Sequence, residues 1–356
     1  MTRRLLLVSS AREHAGAEHY LEVLVAHLER GSGDGWDVAC AFPEGAEVTA
    51  RRLAALDVVL HAVPGLGRRP TASGVRGLRR AVRKARPDVV HLNLSDQGDG
   101  LTAVLATAGL RPALVATVHN AVPGRRPGLE RLSAAVLRRC DALVVPSQPV
   151  ADGLPLTRRT PHVIANGLAP TALADSPRAA LGLPEDALVV GGIGRLHEQK
   201  AWHVLASAAP AVRERHPGAR VVVVGEGPLR GALSLLPGLE LLGPHPDAAA
   251  LVGAFDVLAV PSRYEAFGYV ALEAMQAGVP VVASDVGGLP GLIGDAGVLV
   301  PPGDAAALAD ALSDLLADPT RRAELGRRGR ERARLFTPEA TAAATQAVYR
   351  SVLDRR

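Results

Sequence analysis

Short runs of β-branched and aliphatic residues, bounded by Gly, Pro, Asn or Asp, alternate along the chain with stretches in which apolar residues recur every three to four positions. That alternation is the pattern of βαβ units, in which a strand buried on both faces leads into a helix lying across a parallel sheet. In the first half, strands are predicted at RRLLLV, DVACAF, VVLHAV, DVVHLNL, ALVATVH and ALVVPS. In the second half they are predicted at ALVVGGIG, RVVVVGE, LELLG, DVLAVPS, VPVVASDV and GVLV. Between the two sets lies a segment rich in Pro, Gly and Asn without long apolar periodicity after Ile164, which puts the domain junction near Asn166 to Pro177. The expected fold class is therefore α/β, with two Rossmann-like domains facing across a cleft: an N-terminal domain over 1–170 and a C-terminal domain over 171–337. The last helix, about 338–356, is expected to pack back on the first domain.

With 356 residues, 48% of them hydrophobic, the chain has material for two packed cores. The apolar run in MTRRLLLVSS is too short for a secretory signal core, and no uninterrupted apolar run reaches bilayer length, so a cytoplasmic protein is expected. Cys40 and Cys140 each sit at the edge of an apolar run and imply neither a disulfide framework nor a metal cluster. Charge is uneven: the first 165 residues hold 22 Lys and Arg against 15 Asp and Glu, and the remainder 18 against 21. Much of the excess lies between Arg68 and Arg86, where Val75, Leu78 and Val82 fall on one helical face and Arg76, Arg79, Arg80 and Arg83 on the other. Such a run reads first as a solvated helix face, and second as a weak peripheral contact with an anionic membrane. It contains no aromatic residue to stack on bases, and nucleic acid is not expected as a partner.

Three features coincide at predicted strand ends of the second half. In GGIGRLHEQKAWHVLASA a strand runs into a Gly-rich turn and a helix, with Arg195 and Lys200 beside amides suited to phosphate. Only Lys84 and Lys200 are lysines among 38 arginines, which singles out Lys200 as a compact ammonium for a crowded phosphate site; the alternative is a surface lysine near a helix start. VVVVGEGPLRGAL superficially resembles a dinucleotide fingerprint but is spaced G-x-G-x-x-x-G and interrupted by Pro228, so it reads as a tight strand-to-helix turn. In SRYEAFGYVALEAMQAG a loop carries Glu265 and a helix, starting at Gly268 and Tyr269 and closed by Gly278, carries Glu273. A carboxylate accepts hydrogen bonds from two vicinal hydroxyls, which suits a ribose or sugar diol; the two charges are expected to be tolerated because solvent and ligand reach them.

Glu265 and Glu273 with seven residues between them, GRL followed by Lys200, the EAFG loop and GVPVVASDVGGLP together resemble the retaining GT-B glycosyltransferases of glycosyltransferase family 4. The likeness is dense from about Val163 to Pro302 and thinner before it, where HAGAEHYLEVLVAHL, PDVVHLN, VATVHN and VIANG carry it. The resemblance implies that Arg195 and Lys200 hold the donor diphosphate, Glu273 the ribose and Glu265 the hydroxyls of the transferred sugar. Phe267, Gly268 and Tyr269 would contribute to donor binding at the helix start, Gly16 would let the first loop approach the donor, and His119 would reach the sugar from the other domain. The competing reading of His119 is a histidine capping a buried strand end. The sequence departs from the family pattern at Ala15, Ala201 and Gly291, where glycine, glycine and an acidic residue are usual.

The implied activity is transfer of a hexose-type sugar, with retention, from a nucleoside-diphosphate sugar to a hydroxyl of a natural-product, saccharide or lipid acceptor. The donor, a UDP-sugar or GDP-sugar, is a substrate; no cofactor and no metal are expected, since the cations and helix amides stabilise the leaving group. A sugar-nucleotide epimerase or sugar phosphorylase of the same shape is the alternative. An NAD-dependent oxidoreductase would need a fingerprint where LLLVSSAREHAG supplies none, and a non-catalytic sugar-binding protein would gain little from a diphosphate clamp.

Overall fold

The computed structural model describes residues 2–13, 15–31, 35–121, 127–155 and 157–356, which divide into two compact units, Met1–Gly167 with Thr337–Arg356, and Leu168–Phe336. The first unit holds strands β1 (Arg3–Ser9), β2 (Trp36–Pro43), β3 (Val59–Val63), β4 (Val89–Leu94), β5 (Ala113–Val118), β6 (Ala142–Val145) and β7 (His162–Val163). They form a parallel sheet in the order β3-β2-β1-β4-β5-β6-β7. The second unit holds β8 (Val189–Ile193), β9 (Arg220–Val224), β10 (Glu240–Gly243), β11 (Val257–Val260), β12 (Val281–Ser284) and β13 (Val298–Val300), a parallel sheet in the order β10-β9-β8-β11-β12-β13. In each sheet the order reverses beside the unit's first strand, between β1 and β4 and between β8 and β11. Open α/β sheets bind ligands at the carboxyl ends of the strands flanking such a switch point.

The strands form where β-branched runs allow burial on both faces: Val221, Val222 and Val223 in β9 and Val281 and Val282 in β12 are all fully buried. Glycines in β8 admit large side chains from either side. A Cβ on Gly191 would fall 2.1 Å from the Phe255 ring, and one on Gly192 would fall 2.5 Å from Trp202. In the first unit the helix Pro338–Asp354 closes the core with Tyr349, whose ring meets Trp36 edge-on at 5.2 Å.

Three local expectations change. The segment read as connection contains β7, two exposed residues that pair with β6, too short to leave a period. The strand-turn-helix run read around Lys200 contains an additional 3₁₀ turn, Glu198–Lys200, which carries Lys200 and is separated by Ala201 from the helix Trp202–Arg215. Ala201 has φ +49, the left-handed region in which a Cβ is unfavourable, so the alanine that replaces the usual glycine is held against its preference. The basic run is also not one free face. Its helix spans Ala72–Ala85; Arg68 lies outside it, ion-paired with Asp96 and Asp99, and Arg79 donates to the carbonyls of Ala106 at 3.0 Å and Ala108 at 2.7 Å. Arg76, Arg80 and Arg83 remain exposed. Among the described residues, no helix is long and apolar enough to cross a membrane.

Candidate functional site

In the second unit the loops after β8, β9, β11 and β12 meet at the carboxyl edge of the sheet. The loop after β8 rests on the backbone after β9: Leu196 N–H donates to the Glu226 carbonyl at 2.8 Å and Gly194 N–H to the Val224 carbonyl at 3.0 Å. Gly225 and Gly227 permit that approach, since a Cβ on either would lie 2.0 Å from the Gly194 oxygen or 2.5 Å from that of Leu196. The tight turn read into GEGPLRGAL thus braces the loop carrying Arg195, whose carbonyl also accepts from Trp202 Nε1 at 2.9 Å. The Arg195 side chain itself is exposed.

The turn carrying Lys200 is stitched to the loop carrying Glu265. Arg263 N–H donates to the Gln199 carbonyl at 2.9 Å, and Gln199 Nε2 donates to the Tyr264 carbonyl at 3.0 Å. Beside these bonds Lys200 Nζ meets Glu265 Oε1 at 2.5 Å, and Ser262 Oγ donates to the same oxygen at 2.9 Å. Glu265 is only 7% exposed. This corrects the expectation that solvent makes its charge tolerable: a partner ammonium and a hydroxyl do so. Glu273, one turn into the helix Tyr269–Ala277, is half-buried, and burial pushes its carboxyl above the usual carboxylate range while the Lys200 charge opposes that shift. Lys200 therefore pairs with Glu265 and lies near enough to Glu273 for its charge to act on that carboxyl.

Backbone shape fixes the rest. Gly268, at φ +107, begins the helix, and a Cβ there would press 2.6 Å from Leu289. Phe267 is buried and packs edge-on against Tyr269 at 5.5 Å and Phe336 at 5.9 Å. After β12, Gly288 N–H donates to the Glu265 carbonyl at 2.8 Å, and Gly287, at φ +55, passes so close that a Cβ would lie 1.9 Å from that oxygen. The paired glycines of DVGGLP thus hold the glutamate loop from the other side. Gln199, Ser262, Gly287 and Gly288 were not among the residues singled out from sequence. Ser262 had a local signal, standing three residues before Glu265, whereas Gln199 had none.

Gln199 yields a direct test. Gln199→Leu keeps the bulk but removes the bond that Gln199 Nε2 donates to the Tyr264 carbonyl, a loss of about 1 kcal/mol that loosens the Lys200–Glu265 geometry. We expect a severalfold fall in turnover with little change in folding midpoint, read by steady-state kinetics and thermal unfolding; unchanged turnover would show that the stitch does not position the pair.

In the first unit, Gly16 opens the helix Gly16–His27 and is exposed. The preceding turn is held by Glu18, whose buried carboxylate accepts from Ser9 Oγ at 3.0 Å and from Ala15 N–H at 3.3 Å; burial pushes its pKa up. His119 follows β5, is 5% exposed and bonds through Nε2 to Asn93 Oδ1 at 2.8 Å. Asn93 Nδ2 donates to the Ala17 carbonyl at 2.9 Å, so Oδ1 is the acceptor and His119 carries its proton on Nε2. Burial pushes the His119 pKa down to about 3, which leaves a neutral ring whose Nδ1 is an acceptor. Behind it Tyr20, at 4.8 Å ring to ring, leads to a second buried histidine, His91, bonded to Thr117 Oγ1 at 2.8 Å and to the Tyr349 hydroxyl. His119 is thus a capped strand-end histidine with one lone pair unassigned.

Comparison with known proteins places this geometry. Residues 187–318 match the family model of glycosyl transferases group 1, and residues 14–171 match that of glycosyltransferase family 4. The chain is 39% identical over 247 residues to a D-inositol 3-phosphate glycosyltransferase of Saccharomonospora viridis, covering 61% of this chain and 57% of that one. It is 33% identical over 297 residues to a glycogen synthase of Mycobacterium tuberculosis, covering 75% and 69%. The matches to the inositol phosphate enzymes of Saccharomonospora viridis and Corynebacterium urealyticum thus span 57% and 46% of those relatives' lengths. Among solved structures, sucrose-phosphate synthase from Thermosynechococcus elongatus is similar with a TM-score of 0.81 at 23% identity, covering 99% of this chain and 100% of that one. Anabaena HepE in complex with UDP is similar with a TM-score of 0.81 at 21% identity, covering 98% and 100%.

Proposed function

This chain belongs to the group 1, family 4 glycosyltransferases, and from that premise we propose that it moves a hexose-type sugar, with retention, from a nucleoside-diphosphate sugar to a hydroxyl of a natural-product, saccharide or lipid acceptor. The observation that carries the reading is the Lys200–Glu265 pair, with Glu273 within electrostatic reach of the same ammonium, near the carboxyl ends of β8 and β11. Two carboxylates match two diols, one on the ribose and one on the sugar, and an ammonium near both matches the diphosphate that joins those parts. A UDP-sugar is favoured as donor because related HepE structures hold UDP, UDP with glucose, and UDP-glucose.

In this reading Glu273 accepts from the ribose hydroxyls and Glu265 from those of the sugar. Arg195, Lys200 and the first-turn amides from Phe267, Gly268 and Tyr269 stabilise the charge that grows on the departing diphosphate. The bond from the anomeric carbon to the phosphate oxygen breaks, the acceptor hydroxyl attacks the same face, and its proton passes to the departing phosphate oxygen. No metal is invoked for charge neutralisation. In the first unit, the free lone pair on His119 Nδ1 suits a sugar hydroxyl and, on a neutral ring, adds no charge.

Calorimetry with UDP and GDP tests the assignment. Wild type is expected to bind UDP, and Glu273→Ala to bind it at least tenfold more weakly, since a hydrogen bond to a charged acceptor contributes about 1.5–3 kcal/mol. Equal affinities would remove Glu273 from the nucleotide site. Proton NMR of the product, showing the anomeric configuration of the donor, checks retention.

A further inference from the structure

At the amino ends of the strands in the first unit, on the edge of the sheet opposite Gly16 and His119, a cavity of about 780 Å³ is rimmed by Arg4, Arg83, Arg86, Arg111 and Arg356. Val82, Pro87 and Pro112 are buried beneath it and make its floor rigid and apolar. Asp88 is the one acidic side chain in the lining, and its Oδ2 already accepts from the Arg4 backbone N–H at 2.7 Å. Arg356 is fixed by donating from Nη1 to the Arg111 carbonyl at 2.7 Å, and its other nitrogen lies 3.5 Å from Asp141. Five arginines therefore line one concavity with a single acidic side chain among them, a surplus of positive charge that a bound anion would relieve.

A second, independent observation concerns Arg86. It ends the helix Ala72–Ala85 in the left-handed region, at φ +46 and ψ +52. Helix ends of this shape ordinarily carry glycine, which has no Cβ to strain. Residues held in such conformations concentrate at functional sites. Here the strained residue is one of the five arginines that line the cavity.

We propose that this cavity binds a small soluble polyanion bearing two or more phosphate groups, at a site distinct from the one that holds the nucleotide sugar. Guanidinium forks pair bidentately with phosphate oxygens, and several at once select for more than one phosphate. A concave rim is a poor fit to a flat bilayer, and the lining contains no aromatic side chain on which a base could stack.

The probes are inorganic tripolyphosphate and orthophosphate, titrated by calorimetry at physiological and raised salt, with wild type, Arg86→Gly and the triple variant Arg83→Gln, Arg86→Gly, Arg111→Gln. Neither variant touches the Lys200 site, so tripolyphosphate held there contributes equally to all three proteins. Tripolyphosphate is expected to bind wild type at least tenfold more tightly than the triple variant and more tightly than orthophosphate, with affinity falling as salt rises. Arg86→Gly, which relaxes the backbone, is expected to unfold at the same or a higher temperature than wild type while binding about threefold more weakly. Equal tripolyphosphate affinity in wild type and triple variant would overturn the proposal. So would arginine-dependent binding seen only with phosphatidic acid vesicles and not with tripolyphosphate, which would assign the rim to a membrane.

Discussion

Replacing Lys200 with methionine is expected to cost about 3 kcal/mol of stability and to lower turnover by two to three orders of magnitude. The stability loss follows from what is left behind. Lys200 and Glu265 form a pair whose side chains are 19% and 9% exposed, and without the ammonium the carboxylate keeps, among the described residues, the Ser262 hydroxyl as side-chain partner. Removing one member of a buried ion pair strands the other, whereas replacing both by apolar groups of similar volume is often nearly neutral. Lys200→Met with Glu265→Leu should therefore recover most of the folding stability in urea titrations and none of the turnover. A double variant as active as wild type would mean that the pair is structural. A single variant as stable as wild type would mean that Glu265 finds water or a proton at little cost.

The physical basis of that pair also explains how far the sequence could be read. Strands such as RVVVVGE and VPVVASDV announce themselves because burial on both faces demands continuous β-branched runs, and each forms an interior strand of a sheet. The helix from Tyr269 and its cap at Gly278 were equally legible, since a left-handed cap with φ +77 selects glycine. What local pattern does not carry is the partner across the fold. Glu265 and Lys200 are 65 residues apart, so the motif identified both groups but not that one neutralises the other. Gln199 was missed for the same reason: its task is to meet the Tyr264 carbonyl, and no spacing rule shows which carbonyl will lie opposite. Arg79 failed in the other direction, reading as solvated by helical spacing while its guanidinium caps the carbonyls of Ala106 and Ala108. Periodicity assigns a residue to a face but is silent on what covers that face.

Acid is expected to destabilise the first unit steeply, and His119→Gln to lessen the effect. Burial pushes the His91 and His119 pKa values down to about 3 from 6.5 in the unfolded chain. Above pH 6.5 neither state holds these protons. Between pH 6.5 and about 3 only the unfolded chain takes them up, so stability falls with pH across that window and levels off below it. Each ring contributes up to about 1.4 kcal/mol per pH unit, on the order of 5 kcal/mol across the window. The buried carboxylates Glu18 and Asp99, whose pKa values burial raises, act in the opposite sense but are common to both proteins, so the difference between wild type and variant reports the ring. Glutamine can still donate to Asn93 Oδ1, where His119 Nε2 now lies at 2.8 Å, without binding a proton. The measurement is urea unfolding from pH 7 to pH 4.5, followed by fluorescence of buried Trp36 with Trp202→Phe as common background. His119→Gln should remove close to half of the histidine-driven slope. Parallel pH profiles for the two proteins would show that His119 takes up its proton in the folded state, and would return it to the set of groups able to carry charge to a substrate.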